Sequence, residues 1–323
     1  VKDDLEVKHH RESLDEIARA LAAQEFVLHY QPKVNMKTGA LVGLEALIRW
    51  QHPLRGMMYP GEFLPLIKDH PLSIKLGDWV INTAVRQLSA WNAQNLHVSV
   101  SVNIDAIHLQ QTGFVARLQE ILLQHPDIQP QQLELEVLET SALQDMEKVI
   151  GIMRECAAMG VRFSLDDFGT GYSSLAYLKR LPAKLMKIDQ SFVIGMVQES
   201  DDFVIVEGVI GLARAFGRSV LAEGVETVAH GELLLALGCH LGQGFGIARA
   251  MPPADVFQWV VRWRPDPAWT VWNTSEDVAG KRAQVLADIK QRHWLRDAEN
   301  HVSNASVNPH TAQVQRGEPS PAP

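Results

Sequence analysis

The 323-residue chain is poor in cysteine, in positive charge and in long apolar runs. Its two cysteines, Cys156 and Cys239, have no second ligand at metal-site spacing, and two thiols cannot build a disulfide framework in a chain of this size. We therefore expect a reducing, cytoplasmic setting. A formal net charge of −8 at pH 7 argues against a DNA or RNA polymer as partner and against an anionic membrane surface, so any anionic substrate would need bound cations to attract it.

Segments that enter membranes are also missing from the sequence. No apolar run reaches the roughly 18 residues of a transmembrane helix, and the start at Val1 has no signal-peptide core. We expect no direct membrane insertion of this segment. The intact protein can still be tethered to the inner membrane by another part of its chain. Because the first residue is not Met, we expect a piece of a longer polypeptide with an upstream sensory or signalling domain.

The chain does contain a repeated pattern of short buried strands, most of which end in a carboxylate or amide side chain. The six stretches are 41–45, 98–103, 133–136, 162–167, 185–189 and 220–223, preceded by a first strand at 26–30. Helical patterns occupy 61–67, 76–94, 112–125, 146–159, 171–178, 201–216 and 227–237. This alternation predicts parallel pairing in an α/β barrel, whose chemistry lies at the carboxyl ends of its strands.

Composition and patterning divide the chain into four segments. Residues 1–13 are predicted to be a linker from an upstream domain, with a capping box at Ser13–Glu16 opening the first helix. The barrel is expected over 14–262, and a helical extension over 263–300 that includes an amphipathic helix. The Ser-, Asn- and Pro-rich tail, 301–323, has too few apolar residues to offset the entropy of ordering, which predicts disorder.

The polar strand ends offer a set of hard oxygen ligands. Glu45, Asn103, Glu136 and Asp166 supply three carboxylates and an amide oxygen, a combination suited to Mg²⁺ or Mn²⁺. In the Asp166–Asp167 doublet, one carboxylate can bridge two ions while its neighbour holds the second, as in two-metal phosphoryl displacement. A single strand-end carboxylate is more often a helix cap or a surface charge. A whole rim of them without a cation would cost several kcal/mol each in desolvation and repulsion.

Three further polar residues follow later strands. Lys187 can orient a nucleophile or stabilise a phosphoryl oxygen. Its alternative, purely structural role is a salt bridge to Glu136 or Asp166. Glu223 can complete a metal shell through water or act as a general base, and Gln243 can orient the attacking water. The Gly-punctuated segment 168–174 does not match a known phosphate-loop spacing, so a lid or positioning loop is the favoured interpretation.

With these segments located, the chain resembles the EAL family of cyclic di-GMP phosphodiesterases. The matching motifs are Tyr30-Gln31-Pro32, Glu45-Ala46-Leu47-Ile48-Arg49-Trp50, Ser101-Val102-Asn103, Leu133-Glu134-Leu135-Glu136, Asp166-Asp167-Phe168-Gly169-Thr170-Gly171, Lys187-Ile188-Asp189, Glu223-Gly224-Val225-Glu226 and Gln243-Gly244-Phe245. They cover roughly residues 17–261. The resemblance implies a modified TIM (β/α)8 barrel with its first strand antiparallel, and hydrolysis of cyclic di-GMP to linear pGpG in bacterial second-messenger signalling.

The resemblance also implies individual roles. The first metal ion would be held by Glu45, Asn103, Glu136 and Asp166, and the second by Asp166 and Asp167. The catalytic residues would be Glu45, Asp167, Lys187, Glu223 and Gln243. The substrate contacts would be Gln31, Leu47, Arg49 and Asn103. Glu139 resembles the family's support for the Asp167 loop. The two ions are expected to be Mg²⁺ or Mn²⁺, with Ca²⁺ inhibiting, and the chain is expected to form a homodimer through residues such as Tyr172, Leu175, Tyr177 and Leu178.

Three alternatives to a phosphodiesterase each require residues that differ from those in this sequence. A cyclic di-GMP-binding sensor module with weak or no catalysis would need a missing carboxylate or a broken loop, and neither is present. A glycosidase needs only two acids, and an enolase-like lyase would show a Lys or His base without this motif set. Leu138, Phe245 and Ala250 depart from the residues common in the family, and none of these departures removes a ligand.

Overall fold

Eight of the nine strands form a closed ring in the computed structural model, which describes residues 2–139, 145–170, 175–274 and 277–307. The strands are β1 (Phe26–Asn35), β2 (Leu41–His52), β3 (Gly56–Met58), β4 (Val100–Ile104), β5 (Leu133–Leu138), β6 (Arg162–Phe168), β7 (Leu185–Ile188), β8 (Ser219–Ala222) and β9 (Leu241–Gly242). The ring runs in the order β1-β9-β8-β7-β6-β5-β4-β2 and is closed by pairing of β2 with β1, while β3 pairs with β2 outside it.

The direction of β1 distinguishes this barrel from the standard one. β1 is antiparallel to both of its neighbours, β2 and β9, whereas all other neighbours within the ring are parallel. The predicted modified TIM barrel with an antiparallel first strand is therefore confirmed. Strand β9, which lies between β1 and β8, was not predicted from the sequence, since two residues are too few to show a strand periodicity.

Helices surround the ring and connect successive strands. They are α1 (Lys2–Ala22), α2 (Pro60–Phe63), α3 (Pro71–Asn92), α4 (Ala106–Leu109), α5 (Phe114–Leu123), α6 (Met146–Ala158), α7 (Leu175–Arg180), α8 (Gln190–Gly195), α9 (Ser200–Ala215), α10 (Val228–Leu237), α11 (Pro253–Arg262), α12 (Pro267–Thr274) and α13 (Val278–Val307). Two 3-10 turns lie at Leu64–Ile67 and Pro130–Gln132. The predicted start of α7 at residue 171 lies outside the described residues.

The prediction that a helix begins at Ser13 was wrong. α1 runs without a break from Lys2, so Ser13 lies inside the helix and the expected linker is helical from residue 2. The first part of α1 is rich in Lys, Asp and Glu, residues that can support each other one turn apart, and Lys8 and Glu12 form such a pair at 3.8 Å. The helix therefore continues past the sequence signal for a cap, and this exposed pair is one local contact in that part of it.

The carboxyl-terminal helices pack on α10. A Cβ atom at Gly231 of α10 would lie 2.3 Å from the Trp269 indole nitrogen, so only glycine lets the α12 tryptophan sit against the helix. That indole donates a hydrogen bond to the carbonyl of Val228 at 3.0 Å, and Ile289 of α13 is buried. α13 continues to Val307, beyond the predicted end of the extension, and the rest of the predicted disordered tail, 308–323, lies outside the described residues.

The apolar core lies between the outer face of the ring and the helices. Leu44, Val100, Val102, Phe163 and Leu165 are all buried there, as the period-two pattern predicts. Val42 was expected in the same layer and is exposed instead, because the β2–β4 ladder begins only at Leu44. Among the residues described, no helix combines the length and the apolar character needed to span a bilayer.

Candidate active site

Carboxylates from different strands converge at the mouth of the barrel. Glu45 of β2, Glu136 of β5 and Asp166 of β6 are buried, and each offers a ligand oxygen within 4.8 Å of the others. Asp166 also belongs to a second group of the same compactness with Asp167 and Glu223. Glu45 is not at the end of its strand, since β2 continues to His52; it is the middle residue of the three-residue ladder with β4.

Lys187 is a fully buried cation at the centre of these acids. Its Nζ lies 2.6 Å from Glu136, 2.6 Å from Glu223, 3.0 Å from Asp166 and 3.4 Å from Glu45. Burial lowers the pKa of Lys187, but the surrounding carboxylates outweigh burial and raise this pKa well above its usual value. Lys187 is therefore a fixed positive charge facing several acids at once.

The pKa values of the acids shift in different directions in this environment. Burial, with Glu136 nearby, raises the pKa of Glu45 to about 7, and burial raises the pKa of Glu223 to about 8. Burial also acts on Glu136, but Lys187 and Lys33 outweigh it and bring the Glu136 pKa to about 2. Four carboxylates lie within ion-pair distance of Lys187, more negative charge than one ammonium group balances. This buried oxygen-rich set fits a divalent cation, which would supply the missing positive charge.

Amide side chains complete the rim of the cluster. Asn103 donates to Glu45 Oε1 at 2.9 Å, and Gln243 donates to Glu45 Oε2 at 2.7 Å and to Gln31 Oε1 at 3.0 Å. The backbone beside Gln243 is held closely, because a Cβ at Gly244 would lie 2.3 Å from the Val225 nitrogen. Gln243 Oε1 is buried and has no hydrogen-bond partner within the described part of the chain, which leaves an acceptor for a bound water or substrate group.

Glu139 lies behind the loop that follows β6. Its Oε2 accepts a hydrogen bond from the Gly169 N–H at 3.1 Å, and its own N–H donates to the Asp166 carbonyl at 3.1 Å. Asp167 has a left-handed backbone with φ of 52° and donates its N–H to Asp166 Oδ1 at 3.1 Å. Glu139 thus contacts the loop on both sides of Asp167. The remainder of the predicted loop motif, 171–174, lies outside the described residues.

A cavity of about 380 Å³ opens above the acids. Three of the predicted substrate contacts, Gln31, Leu47 and Arg49, line it together with Glu45, Asp166, Glu223 and Gln243. Asn103 does not line the cavity and lies among the carboxylates instead. Two cations face the cavity: the Arg49 guanidinium lies 5.0 Å from the Tyr59 ring centroid, and the Arg249 guanidinium 4.1 Å from that of Phe245. An anionic ligand with aromatic groups suits these walls.

A sequence profile of the EAL domain family matches residues 14–250, which is most of the chain. The chain belongs to the EAL domain family.

Several relatives of this EAL domain carry functional names. It is 43% identical over 240 residues to the bifunctional diguanylate cyclase/cyclic di-GMP phosphodiesterase MucR of Pseudomonas aeruginosa, covering 74% of this chain and 35% of MucR. It is 38% identical to the cyclic di-GMP phosphodiesterase PA2567 of the same species, covering 77% of this chain and 42% of that protein. The chain therefore spans well under half the length of these relatives.

A solved structure shows the same fold. The PaMucR phosphodiesterase in complex with c-di-GMP superimposes with a TM-score of 0.73 at 42% identity, covering 76% of this chain and 99% of that one. The barrel of this EAL domain and the order of its strands are thus shared with a protein solved with cyclic di-GMP bound.

The EAL domain has one buried cation that the sequence analysis missed. Lys33 Nζ lies beneath the acid cluster, 2.8 Å from Ser101 Oγ, 3.0 Å from Glu134 Oε1 and 3.3 Å from Glu136 Oε1. Gly43 of β2 lies beside it, and a Cβ there would lie 2.7 Å from Ser99 Oγ, so the glycine makes room for Ser99. The signal was available, since Lys33 alternates with Gln31 on the inward face of β1.

Asp189 was expected at the same rim as the other strand-end acids, and it has a different role. Its carboxylate accepts the N–H of Ser191 at 2.8 Å and so caps α8. It lies near enough to Asp167 to affect it: burial, Asp166 and Asp189 together raise the pKa of Asp167 to about 6. Asp189 is therefore a helix cap beside the site and not a member of either acid group among the residues described.

Proposed function

We propose that this EAL domain hydrolyses cyclic di-GMP to linear pGpG. The observation that carries the proposal is the complete carboxylate set at the barrel mouth, beneath a cavity lined by Arg49 and Arg249, in a chain 42% identical to a phosphodiesterase solved with c-di-GMP. A module that only binds the nucleotide would lack one of the predicted carboxylates, and all of them are present among the described residues.

Two divalent ions, Mg²⁺ or Mn²⁺, suit the two acid groups. We assign Glu45, Asn103, Glu136 and Asp166 to the first ion and Asp166 with Asp167 to the second. Such ions would supply Lewis acidity to the phosphoryl group and lower the pKa of the attacking water. The protein itself keeps the carboxylates close together, because Lys187 contacts Glu45, Glu136 and Asp166 and neutralises part of their mutual repulsion before any ion binds.

The remaining site residues act on the water and the substrate. Gln243 presents its unpartnered Oε1 as an acceptor that orients the attacking water, and Glu223 takes the proton as general base. Lys187 steadies charge that develops on the phosphoryl oxygens. Gln31, Leu47 and Arg49 position the dinucleotide in the cavity, with the Arg49 guanidinium meeting a phosphate.

The direct test is to incubate the purified chain with cyclic di-GMP in Mg²⁺, Mn²⁺ or Ca²⁺ and to resolve the products by chromatography. We expect pGpG in Mg²⁺ or Mn²⁺. In Ca²⁺ we expect binding without turnover, because Ca²⁺ accepts the same oxygens at longer distances and would leave water and phosphorus misaligned. Tight binding without product in all three metals would identify a sensor module. Equal turnover in Ca²⁺ and Mg²⁺ would contradict a closely spaced two-metal site.

Glu139 offers a test of the loop that carries Asp167. Glu139→Ala should keep the fold and much of the substrate affinity but lose most of the turnover, because the Gly169 N–H loses its acceptor and Asp167 loses its support. Raising Mg²⁺ or Mn²⁺ should restore part of the turnover by mass action on a weakened second site. Steady-state kinetics across a metal titration measure this. Glu139→Gln is the matched control, since its amide oxygen can still accept from Gly169; an alanine variant with wild-type turnover at low metal would make Glu139 a merely structural residue.

We also propose an oligomeric state, a further domain and a cellular location for this protein. We place a homodimer contact near α7, where Leu175 is exposed, and light scattering of the active chain tests it. Leu178, expected in that contact, is buried in the core of its own chain, while Tyr172 and the side chain of Tyr177 lie outside the described residues. We also propose an upstream signalling domain in the intact protein, in keeping with the small share of the relatives' length that the chain covers. A cytoplasmic location is proposed from the low cysteine content.

A further inference from the structure

The outer half of β2 leaves the barrel and forms one wall of the cavity. β2 pairs with β4 only over Leu44–Ala46. Beyond Ala46 it stays paired with β1 as far as Trp50, and it pairs with β3 over Trp50–His52. This β2–β3 hairpin carries Leu47, Arg49 and Met57, and Tyr59 follows it directly; all four line the cavity. Its position therefore decides where the Arg49 guanidinium and the Tyr59 ring meet a ligand.

A single carboxylate on α1 fastens the turn of this hairpin. Glu16 Oε1 lies 2.8 Å from His52 Nε2, and Glu16 Oε2 lies 2.7 Å from Arg55 Nη2. His52 is buried, and its Nδ1 accepts the N–H groups of Leu54 at 3.1 Å and Arg55 at 3.0 Å. Because Nδ1 accepts, Nε2 bears the hydrogen and donates to Glu16. Glu16 thus holds both the imidazole that shapes the turn and the arginine that follows it.

A second contact joins the end of α1 to the same strand. The Trp50 indole donates to Glu25 Oε2 at 2.9 Å, and Glu25 Oε1 pairs with Arg19 of α1 at 2.5 Å. Trp50 is itself buried. The hairpin is therefore attached near its tip to α1 by Glu16, and nearer the barrel to the turn after α1 by Glu25. Neither Glu16 nor Glu25 lines the cavity, so both can act on the ligand only through the hairpin.

We propose that Glu16 is a positioning residue that holds the β2–β3 hairpin in the orientation that binds substrate, so that α1 sets substrate affinity without touching the acid cluster. The proposal rests on the proposed hydrolysis of cyclic di-GMP. Its physical basis is that a charge-assisted hydrogen bond from a buried imidazole is among the stronger local contacts, and that the hairpin beyond Ala46 has no β4 ladder to hold it.

The experiment compares Glu16→Ala and Glu16→Gln with Asp15→Asn, a charge removal at the exposed neighbouring position of the same helix. We expect Glu16→Ala to raise KM for cyclic di-GMP by about tenfold, equal to about 1.4 kcal/mol, with kcat within about twofold of wild type. Glu16→Gln keeps an acceptor for His52 and should recover most of the loss. Asp15→Asn should match wild type. A fall in kcat with unchanged KM would overturn the proposal.

Hydrogen exchange measured by mass spectrometry separates this inference from the proposed reaction. Amides over residues 50–58 should exchange faster in Glu16→Ala than in wild type, while the barrel strands β5 to β8 keep their protection. This result is expected whether or not the wild type hydrolyses cyclic di-GMP, so an inactive wild type refutes the reaction alone. Wild-type exchange across the hairpin in Glu16→Ala would refute the positioning role. If Glu16→Ala does not fold, Arg55→Met removes the exposed half of the contact and is judged by the same two measurements, with a smaller expected change.

Discussion

Replacing Glu45 with alanine should lower the turnover of cyclic di-GMP by at least about 10²–10³-fold, the range found when one preorganised charge-stabilising group is removed. Glu45 is buried, belongs to the first acid group and accepts hydrogen bonds from Asn103 and Gln243. Its loss would remove a proposed metal ligand and also release both amides. Steady-state kinetics at saturating Mg²⁺ measure the effect, and thermal unfolding checks that the barrel remains folded.

Glu45→Gln distinguishes charge from shape. The glutamine fills the same volume but carries no negative charge, so we expect a loss of turnover of the same order as in Glu45→Ala. Wild-type turnover of Glu45→Gln at saturating metal would assign Glu45 a packing role and remove it from the ligand set.

Lys33→Met should lower the free energy of unfolding by about 3–5 kcal/mol, the cost of removing one partner from a buried ion pair. Lys33 is buried, and its ammonium contacts Glu134 and Glu136 inside the barrel. Without it, Glu134 has no cation within ion-pair distance in the described part of the chain, and Glu136 keeps only Lys187, 2.6 Å away. Urea denaturation followed by circular dichroism measures the loss.

The double variant Lys33→Met/Glu134→Gln is the critical control. It removes one charge of each sign, so it should recover part of the stability lost in Lys33→Met, and the two substitutions should be clearly non-additive. Glu147→Gln, which breaks an exposed pair with Arg180, should leave the unfolding midpoint nearly unchanged. Additive effects of the Lys33 and Glu134 substitutions would show that the pair does not contribute as a unit.

Much of the barrel could be predicted because its signals are local. Alternation within β4, β5 and β6 marks an inward polar face and an outward apolar face, and Ser101, Glu136, Ser164 and Asp166 lie inward as expected. The antiparallel β1 followed from the family resemblance and not from periodicity. Elements without a long periodic run were missed: β9 has two residues, β3 has three, and α11 begins in a Pro- and Trp-containing stretch.

The sequence by itself determined the fold, the family and the types of residue at the strand ends, because strand periodicity and motif order are properties of neighbouring residues. Only the tertiary structure decided how the charges are shared. Lys33 meets Glu136 across 103 residues of chain, Lys187 meets Glu45 across 142, and His52 meets Glu16 across 36. Asp189, in contrast, turned out to cap its own helix. Ring closure brings distant strands within ion-pair distance, and no local pattern along a chain records which side chains will face one another across a barrel.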